Sequence, residues 1–175
     1  MAYYFLFPEK DTTIYSHPDR KKMNAGHDEL LEVLKERGNT DTLLYPTRTL
    51  ISFKNEEIQN TIKDIIGSSK FNDGTTQVNL NLTSANPQNL ISTLNVNVHA
   101  VSESWDEGSG RYSNLPTGSN GASWVYRNNT TVAWGWQSSS GQFSTDTTGS
   151  ISSLLTQGGG SWYTSASLYQ TQQFL

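Results

Sequence analysis

Two stretches of the chain alternate strictly between apolar and polar residues. Val78, Leu80 and Leu82 interleave with Gln77, Asn79 and Asn81, and Leu94, Val96, Val98 and Ala100 interleave with Asn95, Asn97 and His99. A period of two puts one set of side chains on a single face of a strand, so both stretches predict half-buried strands. The Ser84-Ala85-Asn86-Pro87-Gln88-Asn89 cluster between them predicts a turn, which a hairpin or a longer crossover would satisfy. Thr47–Phe53 predicts a third strand and Thr12–Tyr15 a short fourth, with strand-like pieces at Ser123–Tyr126, Thr131–Trp136 and Ser161–Tyr163. Periodicity changes at Asn55 to Ile66, where Ile58, Ile62, Ile65 and Ile66 share a helical face. Asn55 can cap this helix, Glu56 and Glu57 suit the positive end of its dipole, and Gly67 stops it. Asp28 to Gly38 fits two templates: its propensity is helical, yet Leu30, Glu32 and Leu34 also line one strand face. No repeat of domain-building length is visible, which removes solenoids and propellers.

Composition sharpens this β-rich outline. The 175 residues suit one domain, and a hydrophobic content of only 34% implies a lean core. Nineteen aromatics, five Trp, eight Tyr and six Phe, argue against disorder. Charge is divided unevenly: residues 1–73 hold 22 of the 28 charged side chains, leaving Glu103, Asp106, Glu107, Arg111, Arg127 and Asp146 for the rest. The second part draws its polarity from Ser, Thr, Asn, Gln and Gly and contains all five Trp, a composition for extended structure with hydroxyl and amide surfaces. A net charge of -4 gives no support to a surface that tracks phosphates, so nucleic acid is not an expected partner. The absence of cysteine excludes disulfides, thiolate zinc sites and thiol nucleophiles. The apolar start, Met1 to Pro8, has no basic leader and is shorter than a membrane span, so neither a signal peptide nor membrane insertion is expected.

The residues that could carry chemistry do not assemble into a recognisable centre. His17, His27 and His99 lie far apart without ligand spacing, and surface or interface roles are expected for them, His17 within a Ser-His-Pro-Asp turn. No Gly-x-Ser-x-Gly elbow is present. Asp106, Glu107 and Asp146 lie among aromatics, as a polysaccharide hydrolase would require. Adjacent carboxylates in a Trp-Asp-Glu-Gly turn nevertheless suit capping better than catalysis, and a single Asp-Glu pair is not a calcium site. The Gly158-Gly159-Gly160 and Gly108-Ser109-Gly110 runs lack the Lys of a phosphate loop and predict turns. Trp and Tyr beside Asn, Gln and Ser can stack a sugar ring, but a core or subunit-interface role for the same aromatics is the weightier reading.

The order of the motifs resembles the DNRLN family of β-sandwich modules, a jelly-roll type related to carbohydrate-binding modules. The matching pieces are Asp11-Thr12-Thr13-Ile14-Tyr15, Asn24-Ala25-Gly26, the Leu30 to Leu34 run, Arg48 to Phe53, Leu94 to Val98, Val101 to Gly108, Gly121-Ala122-Ser123-Trp124 and Trp134 to Trp136. Together they span about residues 11 to 136, and Trp-Asp-Glu-Gly followed by Gly-Ala-Ser-Trp is the most specific pair. The start, Met1 to Tyr15, is more narrowly similar to virion structural proteins of contractile-tailed phages of marine cyanobacteria.

The resemblance implies a mainly β chain, a jelly-roll-like antiparallel sandwich with one short helix at about 55–66. It favours a strand at Leu30 to Leu34. The family pattern continues with strands that complete both sheets, so an incomplete sandwich is expected, finished by further chain or by a neighbouring subunit through edge pairing. Residues 1–10 are expected to form an arm or first strand and residues 11–175 the sandwich, the part from 101 onward being rich in loops and aromatics. The implied function is non-enzymatic: a virion structural protein of the neck, collar, tail or fibre attachment. It would be made in the host cytoplasm and assemble with other virion proteins, as a homo-oligomer or ring, without a cofactor or metal. Interface or structural roles then fall to Tyr3, Phe5, Phe7, Trp105 and Trp124, the two Trp anchoring the sandwich beside the loop from 106 to 122. The alternative is a carbohydrate-binding module for host surface glycans, with Tyr112, Tyr126, Trp134, Trp136, Trp162 and Tyr163 as its candidate platform.

Overall fold

A computed structural model describes residues 4–38, 44–67, 79–83, 85, 94–98, 100–101, 103–114, 120–128, 134, 159–160 and 170–174. They are mainly β with little helix. Strand β1 (Pro8–Tyr15), β2 (Lys35–Arg37) and β3 (Leu44–Phe53) form a three-stranded antiparallel sheet in the order β1-β3-β2. Both longer strands exceed their predicted lengths. Pro8 can open β1 because a first strand residue need not donate to a ladder. Pro46 is tolerated inside the central strand because it lies opposite Ser16, just past the end of β1, and only its carbonyl is used there. The Ser16 backbone N–H and Oγ–H both donate to it, at 3.2 and 2.7 Å. On the other side, β2 and β3 pair Lys35 with Pro46, Glu36 with Tyr45 and Arg37 with Leu44.

The expected strand at Leu30 to Leu34 is absent, as is the helical alternative: residues 31–34 have no regular structure and the strand begins at Lys35. Two threonine hydroxyls explain the difference. Thr13 Oγ1 accepts the Glu32 N–H at 3.0 Å, while Thr47 Oγ1 accepts the Leu34 N–H at 2.9 Å and donates to the Glu32 carbonyl at 2.7 Å. Side chains of β1 and β3 thus take backbone groups that a ladder or a helical turn would have used. Leu30, Val33 and Leu34 are left exposed, so the apolar spacing that suggested a buried face does not correspond to one.

The helix occupies its predicted span, but not in its predicted form. A π-helical segment, Glu57–Ile62, runs into a short α-helix α1 (Lys63–Ile66). Asn55 does not cap it; the Lys54 carbonyl accepts the N–H groups of Glu57 and Ile58 instead. Gly67 does stop it, at φ +85° with its N–H on the Lys63 carbonyl at 2.8 Å. The wider π turn breaks the 3.6-residue phase on which the common isoleucine face depended. Accordingly α1 buries no residue, and Ile65 is 71% exposed.

Leu94–Val98 forms strand β4 as predicted. Its partner is β5 (Gln170–Phe174), antiparallel, with Leu94 opposite Phe174 and Val98 opposite Gln170. Gln170–Phe174 thus forms a strand that the sequence pattern did not predict. Residues 79–82, the described part of the other alternating stretch, are irregular, and Gln77 and Val78 lie outside the described residues. Ser123–Tyr126 forms a tight turn rather than a strand, with the Ser123 N–H on the Tyr126 carbonyl at 2.8 Å and the Tyr126 N–H on Ser123 Oγ at 3.1 Å. The Ser161–Tyr163 piece lies outside the described residues, as does all of Thr131–Trp136 except Trp134.

The chain divides into two compact units, one of Met1–Lys10 with Ile51–Gln88 and one of Asp11–Leu50 with Asn89–Leu175. In the first, the Tyr4 hydroxyl donates to Glu57 Oε1 at 2.9 Å, and no residue whose burial is described, which leaves out Thr61 and Ile62, is buried. In the second lie two apolar clusters. One joins Ile14, Leu50, Trp105, Ala122, Trp124 and Trp134, with Val101 against it; the other joins Tyr15, Met23 and Ala25, with Tyr112 against it.

Candidate functional site

The densest polar construction in the second unit centres on Asn24, which is fully buried. Its Nδ2 donates to the carbonyls of Glu107 (2.7 Å) and Ala122 (2.8 Å), and its Oδ1 accepts the N–H groups of Gly26 (3.2 Å) and Gly110 (2.8 Å). A carboxamide has two donors and two acceptor positions, so the side chain is used to capacity. Backbone packs so closely around it that side chains are excluded. A Cβ on Gly26 would collide with the Glu107 carbonyl, one on Gly110 with the Asn24 carbonyl, and one on Gly108 with the Asn120 carbonyl and the Asn24 amide. Gly121, at φ +95°, would press a Cβ onto the Gly108 Cα.

Further bonds bind the same two segments. Glu107 Oε1 accepts the Asp11 backbone N–H at 3.0 Å, Tyr112 N–H donates to Asp28 Oδ2 at 2.8 Å, and His27 N–H donates to the Gly110 carbonyl at 2.9 Å. Partial burial, and secondarily the Glu107 carboxylate, raise the pKa of the Asp11 carboxyl above its ordinary value. The Asp106 N–H and carbonyl are taken by the Arg127 carbonyl and the Ala122 N–H, at 3.0 and 2.7 Å. Asp106 and Glu107 stand in an irregular segment rather than in the expected turn, with Glu107 tying β1 to the loop that follows Trp105.

Trp105 and Trp124 are buried in one cluster beside this junction, at 5% and 2% exposure. The Arg48 guanidinium stacks on the Trp124 ring, 4.5 Å from its centroid, and donates to the Gly159 carbonyl. Gly159 and Gly160 both have positive φ, the chain bends at Gly159, and the Gly159 N–H donates to the Trp124 carbonyl; Gly158 lies outside the described residues. Sequence reasoning did not single out Arg48 or Asn24 individually. The closely spaced glycines at 26, 108, 110 and 121 were the available sign that backbone converges on something.

The candidate sugar platform is not assembled among the described residues. Trp134 is 6% exposed and its indole N–H donates to the Ser123 carbonyl at 2.8 Å, which makes it part of the core. Tyr112 is half-buried, its ring 5.6 Å from that of Tyr15 and covered by Arg20 at 4.8 Å, so a sugar would have to displace the guanidinium. Tyr126 is half-buried in its turn, and Trp136, Trp162 and Tyr163 lie outside the described residues. Of the N-terminal aromatics, Phe5 and Phe7 are 71% and 78% exposed, whereas Tyr3 lies outside the described residues. His17 corrects its expected surface role. It is buried, 5.0 Å from the Tyr45 ring in an edge-on contact, with Nδ1 accepting the Asp19 N–H at 3.3 Å. His27 is exposed, and His99 lies outside the described residues.

Two other titratable groups are fixed structurally. The buried Tyr15 hydroxyl donates to Glu32 Oε2 at 2.7 Å, and burial first, then this carboxylate, hold its proton far above the ordinary tyrosine range. Arg20 pairs with Glu36. Among the described residues no three His, Asp or Glu side chains converge to hold a metal ion. No family model, curated protein or solved structure matches the chain.

Proposed function

We propose that this chain is a non-enzymatic virion structural protein of the neck, collar, tail or fibre-attachment region of a tailed phage, acting through protein–protein assembly. The observation that carries the reading is the set of exposed apolar side chains in the first unit: Phe5, Phe7 and Ile65 are each more than 70% exposed, and no residue there whose burial is described is buried. Large apolar side chains left in water beside no core are better suited to a building block than to a free-standing domain. The resemblance of the motif series to DNRLN-type sandwich modules points the same way, as does the depletion of charge after residue 73, since interface cores are poor in charged residues. A structural use of Glu107, which accepts the Asp11 backbone N–H, supports the non-enzymatic reading.

The test is to purify the particle and quantify this chain. Stoichiometric copies, located by cryo-electron microscopy beside other virion proteins, are expected; absence from the particle overturns the reading. Glycan-array binding that disappears on Trp162→Ala would move the assignment to a carbohydrate-binding module.

A further inference from the structure

Asn120 is followed by Gly121, the chain's sole Asn-Gly pair, and Asn120 is exposed. Its carboxamide is held by one residue at two points. The Ser109 backbone N–H donates to Asn120 Oδ1 at 3.3 Å, and Asn120 Nδ2 lies 2.7 Å from Ser109 Oγ. Among the described residues no hydrogen bond uses the Gly121 N–H.

We propose that Asn120 is a self-modification site, converted to aspartate and isoaspartate by attack of its own neighbour, with Ser109 positioning the amide. The Gly121 nitrogen, unhindered because glycine lacks a Cβ, loses its proton to solvent and bonds to Asn120 Cγ. The Cγ–Nδ2 bond then breaks as this nitrogen takes up a proton from solvent, and ammonia leaves, giving a five-membered succinimide. Water adds to either carbonyl of this ring, yielding aspartate or isoaspartate. The Ser109 N–H faces the oxygen on which negative charge develops, and the Ser109 hydroxyl faces the departing nitrogen. An aspartate at 120 can accept from both Ser109 donors and fits the existing turn. An isoaspartate lengthens the main chain next to Gly121, which is packed against Gly108 and the Asn24 amide, and so loosens the junction.

The experiment is to incubate the intact chain at mildly alkaline pH, folded or in urea, and follow the peptide between Arg111 and Arg127 by mass spectrometry. Conversion adds about 1 Da, and the isoaspartate product is separable by chromatography. The expected result is conversion at Asn120 ahead of every other asparagine, slowed roughly fivefold or more by Ser109→Ala in the folded chain and unchanged by that substitution in urea. A purely local sequence effect would give equal rates for both chains in both conditions and would overturn the role of Ser109. Persistence of the Asn120 amide in the folded chain while the urea-unfolded chain converts fully would overturn the site itself. Circular dichroism of Ser109→Ala before incubation verifies that the variant is folded.

Discussion

The two units satisfy their backbones and bury their side chains in opposite ways. In the second, β1 from Asp11, the segment around Asn24 and the loop after Trp105 close on one another through a saturated amide, glycines with no room for a Cβ, and three buried tryptophans. In the first, local bonds such as Lys54 to the helix start and Tyr4 to Glu57 are made, but no residue whose burial is described is buried, and Phe5 and Phe7 stand in water. Hydrogen bonding shapes a segment, but shape without apolar burial leaves little net stability. The second unit therefore has the means of holding its own fold, and the first leaves Phe5, Phe7 and Ile65 exposed.

The sharpest way to break this contrast is Asn24→Ala. It strands the N–H groups of Gly26 and Gly110 and the carbonyls of Glu107 and Ala122 together, and a loss of about 4 kcal/mol or more is expected in urea unfolding followed by Trp fluorescence. Trp134→Phe keeps most of the ring volume but leaves the Ser123 carbonyl without its donor, for an expected loss of about 1–2 kcal/mol by the same measurement. Asp11 tests the electrostatics of the junction. Its raised pKa means that the folded state holds the proton more tightly, so this contribution to stability is greatest in acid and falls as pH rises from the ordinary value of 3.8 through the raised one. Asp11→Asn should remove that dependence and raise the neutral-pH melting temperature by no more than a few degrees, while leaving melting near pH 3 almost unchanged. The smallest effect on folding is expected for Phe5→Ser with Phe7→Ser: within about 0.5 kcal/mol of the parent in urea, yet with incorporation into particles lost. A large loss of stability in that variant would show that the arm belongs to a core.

Local pattern made part of this legible. β3 and β4 follow from β-branched and alternating residues, and the helix span follows from its isoleucine spacing and the glycine at its end. What local pattern could not supply was the competition from distant side chains. Leu30 to Leu34 reads as a helix or a strand because Thr13 and Thr47, which take its backbone, are remote in sequence. His17 reads as a surface residue of a turn until Tyr45 arrives over it. Trp105 and Trp124, named together through the resemblance, share one buried cluster, whereas Trp134 was open to both a platform and a core because an indole has the same composition whether its face meets a sugar or a core. Asn24 belongs to the Asn24-Ala25-Gly26 motif, but its role depends on four backbone groups that the sequence does not mark.

The separation of those groups has a kinetic consequence. Asn24 waits for Glu107 and Ala122, which follow it by 83 and 98 residues, before either amide proton is satisfied. A nascent chain growing at roughly 5–20 residues per second thus carries β1 for several seconds with its amide keystone open. Folding of such a long-range junction is expected to be slow and late, and a chaperone that shields the early segment during synthesis would raise the yield more than one supplied after release.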